Sequence, residues 1–293
     1  MKVVLFGSRG NVTKPLTQIL LSKGVDTTVI TRSAENGKAI ETDGAKAAVG
    51  STEDVEFLTK TFQGADAVFI LVPANLFLPN TLENMASVCT KACDAILSAG
   101  VPNVVYLSSV GAFNPKIGFH YQNEQILKRK LSGVPSVSLV RPTGFFTNFY
   151  HNIGTIKKDN AVYFNVERET VESYVHPADI AQACADLILT PPTDEKFKMI
   201  YVESDHAKAA DIEKMIHDAL NIDVKWVTVS DEAALQGATS IGLPKENAEL
   251  LTNLYSKVYQ GEMLDDIKKH GSVIGTHKLA DFFKTDFAAQ FSK

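Results

Sequence analysis

Hydrophobic positions in the first 140 residues alternate between short apolar runs and stripes at helical spacing. The run Lys2–Phe6 is apolar and largely β-branched, which predicts a buried strand. Gly7 and Gly10 interrupt it. Val12, Leu16, Ile19 and Leu20 then recur at helical spacing, and Gly24 offers a stop. Further strands are predicted over residues 25–30, 45–49, 67–72, 104–107 and 137–140. Ser51 with Asp54 resembles a capping box and opens a helix that runs to Gly64. Longer helical stripes cover residues 81–98 and 121–131. The 67–72 run is almost wholly apolar, so it should lie centrally with both sheet faces covered. Strands joined by helix-sized segments predict an α/β fold, a doubly wound parallel sheet of the Rossmann type with right-handed crossovers.

The regularity breaks after Arg141-Pro142. Residues 143–173 mix aromatics, glycine and charge without a period. A helix over 177–190 places Ile180, Cys184, Leu187 and Ile188 on one face, and Pro191-Pro192 ends it. A strand at 198–202, a helix at 211–220, a strand at 224–229 and further helices follow. The expected division is a dinucleotide-binding domain over residues 1–150, with helix 177–190 packed back on it. Residues 151–293 then form a smaller α/β substrate-binding part over the carboxyl edge of the sheet. The cleft between them would take a small-molecule substrate.

Bulk properties narrow the partners. A net charge of −5, with no block of Lys or Arg, gives no electrostatic footprint for nucleic acid. No stretch is long and apolar enough to span a bilayer, and the N-terminus carries no cleavable signal pattern. Three cysteines, Cys89, Cys93 and Cys184, make no disulfide framework and suit a reducing cytoplasm. Cys89 and Cys93 fall in phase with Met85 and Ile96, which reads as core and not as a metal site. No zinc spacing appears.

The strand–glycine–helix corner is where the chemistry starts. Glycine lets backbone turn sharply and approach a pyrophosphate, and the helix N-terminus presents unpaired N–H groups. The spacing here is Gly7-x-x-Gly10-x-x-Thr13. Gly7, Ser8, Arg9, Gly10, Asn11 and Val12 are therefore the expected cradle. An NAD site ends its second strand with an acidic residue on the ribose. Here the chain reads Val29-Ile30-Thr31-Arg32-Ser33, with no carboxylate to repel a 2′-phosphate. Arg32 offers a planar donor fork, with Ser33 beside it and Arg9 within reach of the same group, so NADP(H) is favoured. Val72 and Pro73 should pass the cofactor with their backbone, and Ser108 should end the fifth strand beside it.

Several segments together resemble the NmrA-like branch of the atypical short-chain dehydrogenases/reductases. They are Gly7-Ser-Arg-Gly-Asn-Val, Thr31-Arg32, residues 64–73 and 100–109, His120-Tyr-Gln-Asn-Glu124, the Arg-Pro…Phe-x-x-Asn-Phe segment at 141–149, and His176-Pro-Ala-Asp-Ile-Ala181. The resemblance implies a Rossmann domain, a small C-terminal substrate domain and preferential NADP(H) binding. It also implies one of two activities, an NADPH-dependent reductase of the quinone-reductase type or a regulator that binds the dinucleotide without turning it over. A homodimer and a regulatory protein partner stay open.

Typical enzymes of that superfamily use a serine and Tyr-x-x-x-Lys, the lysine lowering the phenol's pKa. Four residues after Tyr121 stands Gln125. Lys128 is about 10 Å further up a helix at 1.5 Å per residue, too far to serve unaided. Tyr121 and His120 are the candidate proton donors. Phe146 and Phe149, with Phe145 and Tyr150, are candidates for an apolar substrate wall and Asn148 for a polar contact. A quinone suits such a site, because hydride addition gives a delocalised phenolate-type product.

Overall fold

A computed structural model describes residues 1–293. Thirteen strands and thirteen helices follow in order. The first half runs β1 (Lys2–Phe6), α1 (Thr13–Ser22), β2 (Asp26–Thr31), α2 (Ala34–Thr42), β3 (Lys46–Val49), α3 (Val55–Phe62), β4 (Ala67–Leu71), α4 (Thr81–Ala99), β5 (Asn103–Leu107), α5 (Tyr121–Lys130) and β6 (Ser136–Pro142). After it come β7 (Gly144–Phe145), a 3-10 turn (Phe146–Asn152), α6 (Ile153–Asp159), β8 (Ala161–Phe164), β9 (Glu172–Val175) and α7 (Pro177–Leu189). The chain continues through β10 (Phe197–Glu203), β11 (Asp205–Ala207), α8 (Ala209–Leu220), β12 (Lys225–Thr228), α9 (Asp231–Ser240), α10 (Lys245–Tyr255), α11 (Lys257–His270) and β13 (Ser272–Ile274). It closes with α12 (Leu279–Phe282), a π turn (Phe283–Phe287) and α13 (Ala288–Phe291).

Eight strands form one parallel sheet in the order β13-β10-β6-β5-β4-β1-β2-β3. The order reverses between β1 and β4, which opens the crevice where such sheets bind ligands. One face is covered by α3, α4 and α5. Leu58, Phe62, Met85, Cys89, Cys93, Ile96 and Leu127 pack there on Val4, Ile70, Val104 and Tyr106. The other face is covered by α1 and α7, with Leu16, Leu20, Ile180, Cys184 and Ile188 on Leu5, Phe69 and Val105. All three cysteines are buried and unpaired. Burying both faces is why these strands read as continuous apolar runs and not as alternating ones.

Three expectations need correction. Strand 198–202 does not belong to a separate C-terminal part. It is β10, paired with β6 from Phe197↔Val137 to Val202↔Pro142, and β13 pairs beyond it. A boundary drawn at residue 150 therefore cuts across the sheet. Residues 143–173 are also less irregular than their composition suggests. The segment supplies β7, β8 and the start of β9 to two small sheets, β11-β9-β7 and β12-β8, and Phe146 and Phe149 to a third core shared with Trp226, Phe282, Phe283 and Phe287. Finally, Ser51 does not cap α3. Asp54 is the cap, its carboxylate accepting from the Phe57 N–H at 3.0 Å, while the Ser51 hydroxyl accepts from Glu53.

Candidate functional site

The β1–α1 corner is built by close packing around Gly7. A Cβ there would meet the Thr13 hydroxyl at 3.0 Å and Leu71 at 3.1 Å. Buried Thr13 donates its hydroxyl to the Gly7 carbonyl at 3.2 Å, so it closes the corner where many dinucleotide sites carry a third glycine. Ser8 takes up a positive φ of 47° and donates its N–H to the Ile30 carbonyl at 3.0 Å, which ties the loop to β2. Gly10 and Asn11 are exposed and buried Val12 leads into α1. The first helical bond runs from the Lys14 N–H to the Gly10 carbonyl. The N–H groups before it have no helical partner and face the crevice end of the sheet.

Two arginines border this corner. Arg32 follows β2 and is exposed, immediately before α2. Ser33 caps that helix, its hydroxyl accepting from the Asn36 N–H at 3.2 Å. Arg9 is held differently, by an ion pair with Asp43 at 2.8 Å at the far end of α2. Arg32 thus carries the uncommitted guanidinium on this rim. Val72 is buried and Pro73 exposed directly after β4, where the central strand emerges into the crevice.

The carboxyl ends of β5 and β6 meet over a buried polar network. Ser108 donates its hydroxyl to Glu124 Oε1 at 2.7 Å, so the serine supports Glu124. Arg141 bonds both oxygens of Glu124 and reaches Asp266 at 2.9 Å and the Tyr201 hydroxyl at 3.1 Å. Tyr201 also donates to Asp266. Lys128 lies 3.7 Å from Glu124 and pairs with that carboxylate. Tyr121 is partly buried and Gln125 exposed at the start of α5. His120 shares a short bond, 2.6 Å, between its Nδ1 and the Tyr106 hydroxyl, to which the Asn123 amide also donates. Burial pushes the His120 imidazole down to about 4, so it is neutral at physiological pH.

The aromatic candidates divide. Phe146 is fully buried against His176 and Phe282, and Phe149 against Tyr174 and Phe283. Both belong to the third core and not to an exposed substrate wall. Their apolar faces are consumed within the C-terminal elements, which the sequence spacing gave no means of seeing. Asn148 is exposed and lies beside the Tyr255 hydroxyl.

A second cluster went unread in the sequence beyond its helix start. His176 caps α7 through Nδ1, which accepts from the Ala178 N–H at 3.1 Å. Asp179 accepts from the Ser204 hydroxyl, from the Thr276 and His277 N–H groups and from His277 Nδ1 at 2.8 Å. The two imidazoles stack at 4.1 Å. Burial alone would raise the Asp179 carboxyl, but these four donors outweigh it and hold it below the usual range. A Cβ on Gly275 would fall onto that carboxylate, so a glycine is required there. The cluster pins the segment after β13 to the start of α7.

Comparison with known proteins gives a consistent placement. The family model described as the NmrA-like family matches residues 1–276. An NAD(P)H azoreductase from Xenophilus azovorans is 24% identical over 294 residues, covering 98% of each chain. An NADPH-dependent quinone oxidoreductase from Escherichia coli, solved with NADPH, superposes with a TM-score of 0.77 at 18% identity, covering 97% of this chain and 99% of that one. A nucleoside-diphosphate-sugar epimerase from Staphylococcus aureus superposes with a TM-score of 0.77 at 15% identity over 97% and 100% of the chains. These superpositions establish the shared fold. With the match extending across the sheet, the β1–α1 corner and most of the C-terminal elements, the chain belongs to the NmrA-like family.

Proposed function

We propose that the protein is an NADPH-dependent oxidoreductase that passes a hydride to a quinone or similar small carbonyl acceptor. The observation that carries this reading is the pairing of the β1–α1 corner with an exposed, uncommitted Arg32 where an NAD site would place a carboxylate. Gly10 leaves open space, since a Cβ there would approach nothing closer than the Gly7 carbonyl at 4.0 Å. The residues that would hold the dinucleotide are Gly7–Val12 by backbone at the pyrophosphate, Arg32 and Ser33 at the 2′-phosphate, and Val72 and Pro73 along the crevice. The bound dihydronicotinamide would supply the hydride. The family membership, the azoreductase relative and the quinone-reductase neighbour support this class of reaction.

The test is steady-state NADPH oxidation against a panel of benzoquinones, naphthoquinones and azo compounds. Turnover with at least one quinone is expected. Tight NADPH binding without turnover on any acceptor would contradict the enzymatic reading and favour a dinucleotide-sensing regulator. That second reading is motivated by Gln125, which stands where the superfamily's enzymes carry the lysine beside the tyrosine. Calorimetry with NADP⁺ and NADPH, combined with partner capture in each state, separates the two.

A further inference from the structure

A cavity of about 60 Å³ lies between β9 and helices α10 and α11, floored by Val110, Thr143 and Gly144. Those three residues leave the carboxyl ends of β5 and β6. The cavity therefore lies at the carboxyl edge of the sheet, the edge on which sheets of this type hold their ligands. Val171 and Leu264 in its lining are both exposed, so the cavity opens to solvent beside them. Opposite the floor stand Glu172 and Tyr174 from β9, Tyr255 from α10 and Gln260 from α11.

Glu172 is the sole carboxylic acid among the lining residues, and no Lys, Arg or His lines the cavity. Gln260 Nε2 donates to Glu172 Oε1 at 3.1 Å, which holds one of its two oxygens. With no cation beside it, burial favours the neutral carboxyl and outweighs the Gln260 donor, which works the other way. Burial pushes Glu172 up to about 7. The other titratable groups facing it are the phenols of Tyr174 and Tyr255. Burial raises both, and Glu172 itself adds to the shift, so they stay neutral across the working range.

We propose that Glu172 is the acid that protonates the reduced acceptor, and that it selects neutral ring acceptors carrying a hydrogen-bond-accepting oxygen. The proposal rests on the reductase reading above. It supplies what the α5 side of the crevice lacks, since His120 is neutral and engaged with Tyr106, and Tyr121 has no lysine. Two electrons and one hydrogen nucleus reach the quinone as hydride from the dihydronicotinamide, which leaves as the oxidised pyridinium. The Glu172 O–H bond breaks and an O–H bond forms on the acceptor's anionic oxygen, giving the hydroquinone. Solvent at the cavity mouth returns a proton to the carboxylate.

The test pairs binding with turnover. 1,4-Naphthoquinone is titrated into the wild type and Glu172→Gln at pH 6 and pH 8, read by quenching of protein fluorescence. A group titrating near pH 7 is about nine-tenths protonated at pH 6 and about one-tenth at pH 8. The wild type should therefore bind about tenfold more tightly at pH 6, while Glu172→Gln, whose amide remains a donor, should show no pH dependence. In turnover, Glu172→Gln should lower kcat by about 10²-fold, because an amide gives up no proton, with NADPH affinity unchanged. Naphthoquinone affinity that is flat with pH in the wild type, or full turnover in Glu172→Gln, overturns the proposal and leaves the reductase reading intact. No NADPH oxidation by the wild type, with the pH switch in binding still present, defeats the reductase reading and retains Glu172 as the recognition group. Loss of a cationic dye's binding in Glu172→Gln, with naphthoquinone unaffected, means the carboxyl acts as an anion and also overturns the proposal.

Discussion

Arg141 lies fork to fork against Glu124, Nε to Oε1 at 2.9 Å and Nη2 to Oε2 at 2.7 Å, with the glutamate fully buried. The pair joins β6 to α5 directly beneath the crevice, and its outer nitrogen continues to Asp266 on α11. Removing Glu124 leaves the buried guanidinium with Asp266 as its one carboxylate and takes the acceptor from the Ser108 hydroxyl. Glu124→Ala should cost about 3–5 kcal/mol in urea denaturation. The double variant Glu124→Leu/Arg141→Met should recover most of that loss, since replacing both charges removes the desolvation penalty as well. A double variant no more stable than Glu124→Ala would show that the network acts through something other than paired charge.

Gly275 makes a second, sterically driven prediction. A Cβ on it would overlap the Asp179 carboxylate, which four donors hold in place. Gly275→Ala should destabilise the protein by about 1–3 kcal/mol, as overpacking at a rigid site does. Gly133→Ala, where a Cβ meets nothing within 4 Å, serves as the control in the same thermal melts.

His120 governs part of the acid side of the stability profile. Its folded value near 4 lies below the ordinary 6.5. Between those values the unfolded chain binds more protons than the fold, so stability rises with pH across that window and is lost on acidification through it. The full shift corresponds to about 3 kcal/mol, and partial exposure reduces this to about 1–3 kcal/mol. His120→Asn should flatten the denaturation midpoint between pH 7 and pH 5, whereas an unchanged slope would place the acid sensitivity elsewhere.

Local signals made much of the molecule legible. Lys2–Phe6, Gly7, Thr13 and the stripe Leu16–Leu20 are neighbours in the chain, and strand, turn and helix each need only nearby residues. The same holds for His176 and Pro177 at the start of α7. What stayed hidden was nonlocal. β10 joins β6 across some 60 residues, and nothing in the β10 segment names its partner. Arg141 and Glu124 are ordinary charged residues until β6 and α5 bring them together. Phe146 and Phe149 look like a substrate wall in sequence because the faces that bury them, Phe282 and Phe283, come from the last elements of the chain. Glu172 lay in a stretch with no period, and its surroundings come from α10 and α11.

Selection of the dinucleotide rests on the β1–α1 corner and on Arg32. The direct measurement is calorimetric titration of the wild type and Arg32→Ala with NADPH and with NADH. The wild type should prefer NADPH, and Arg32→Ala should lose about 1–3 kcal/mol of NADPH affinity through its charged hydrogen bonds while NADH affinity changes little. Equal losses for both dinucleotides, or no binding of either by the wild type, would contradict it.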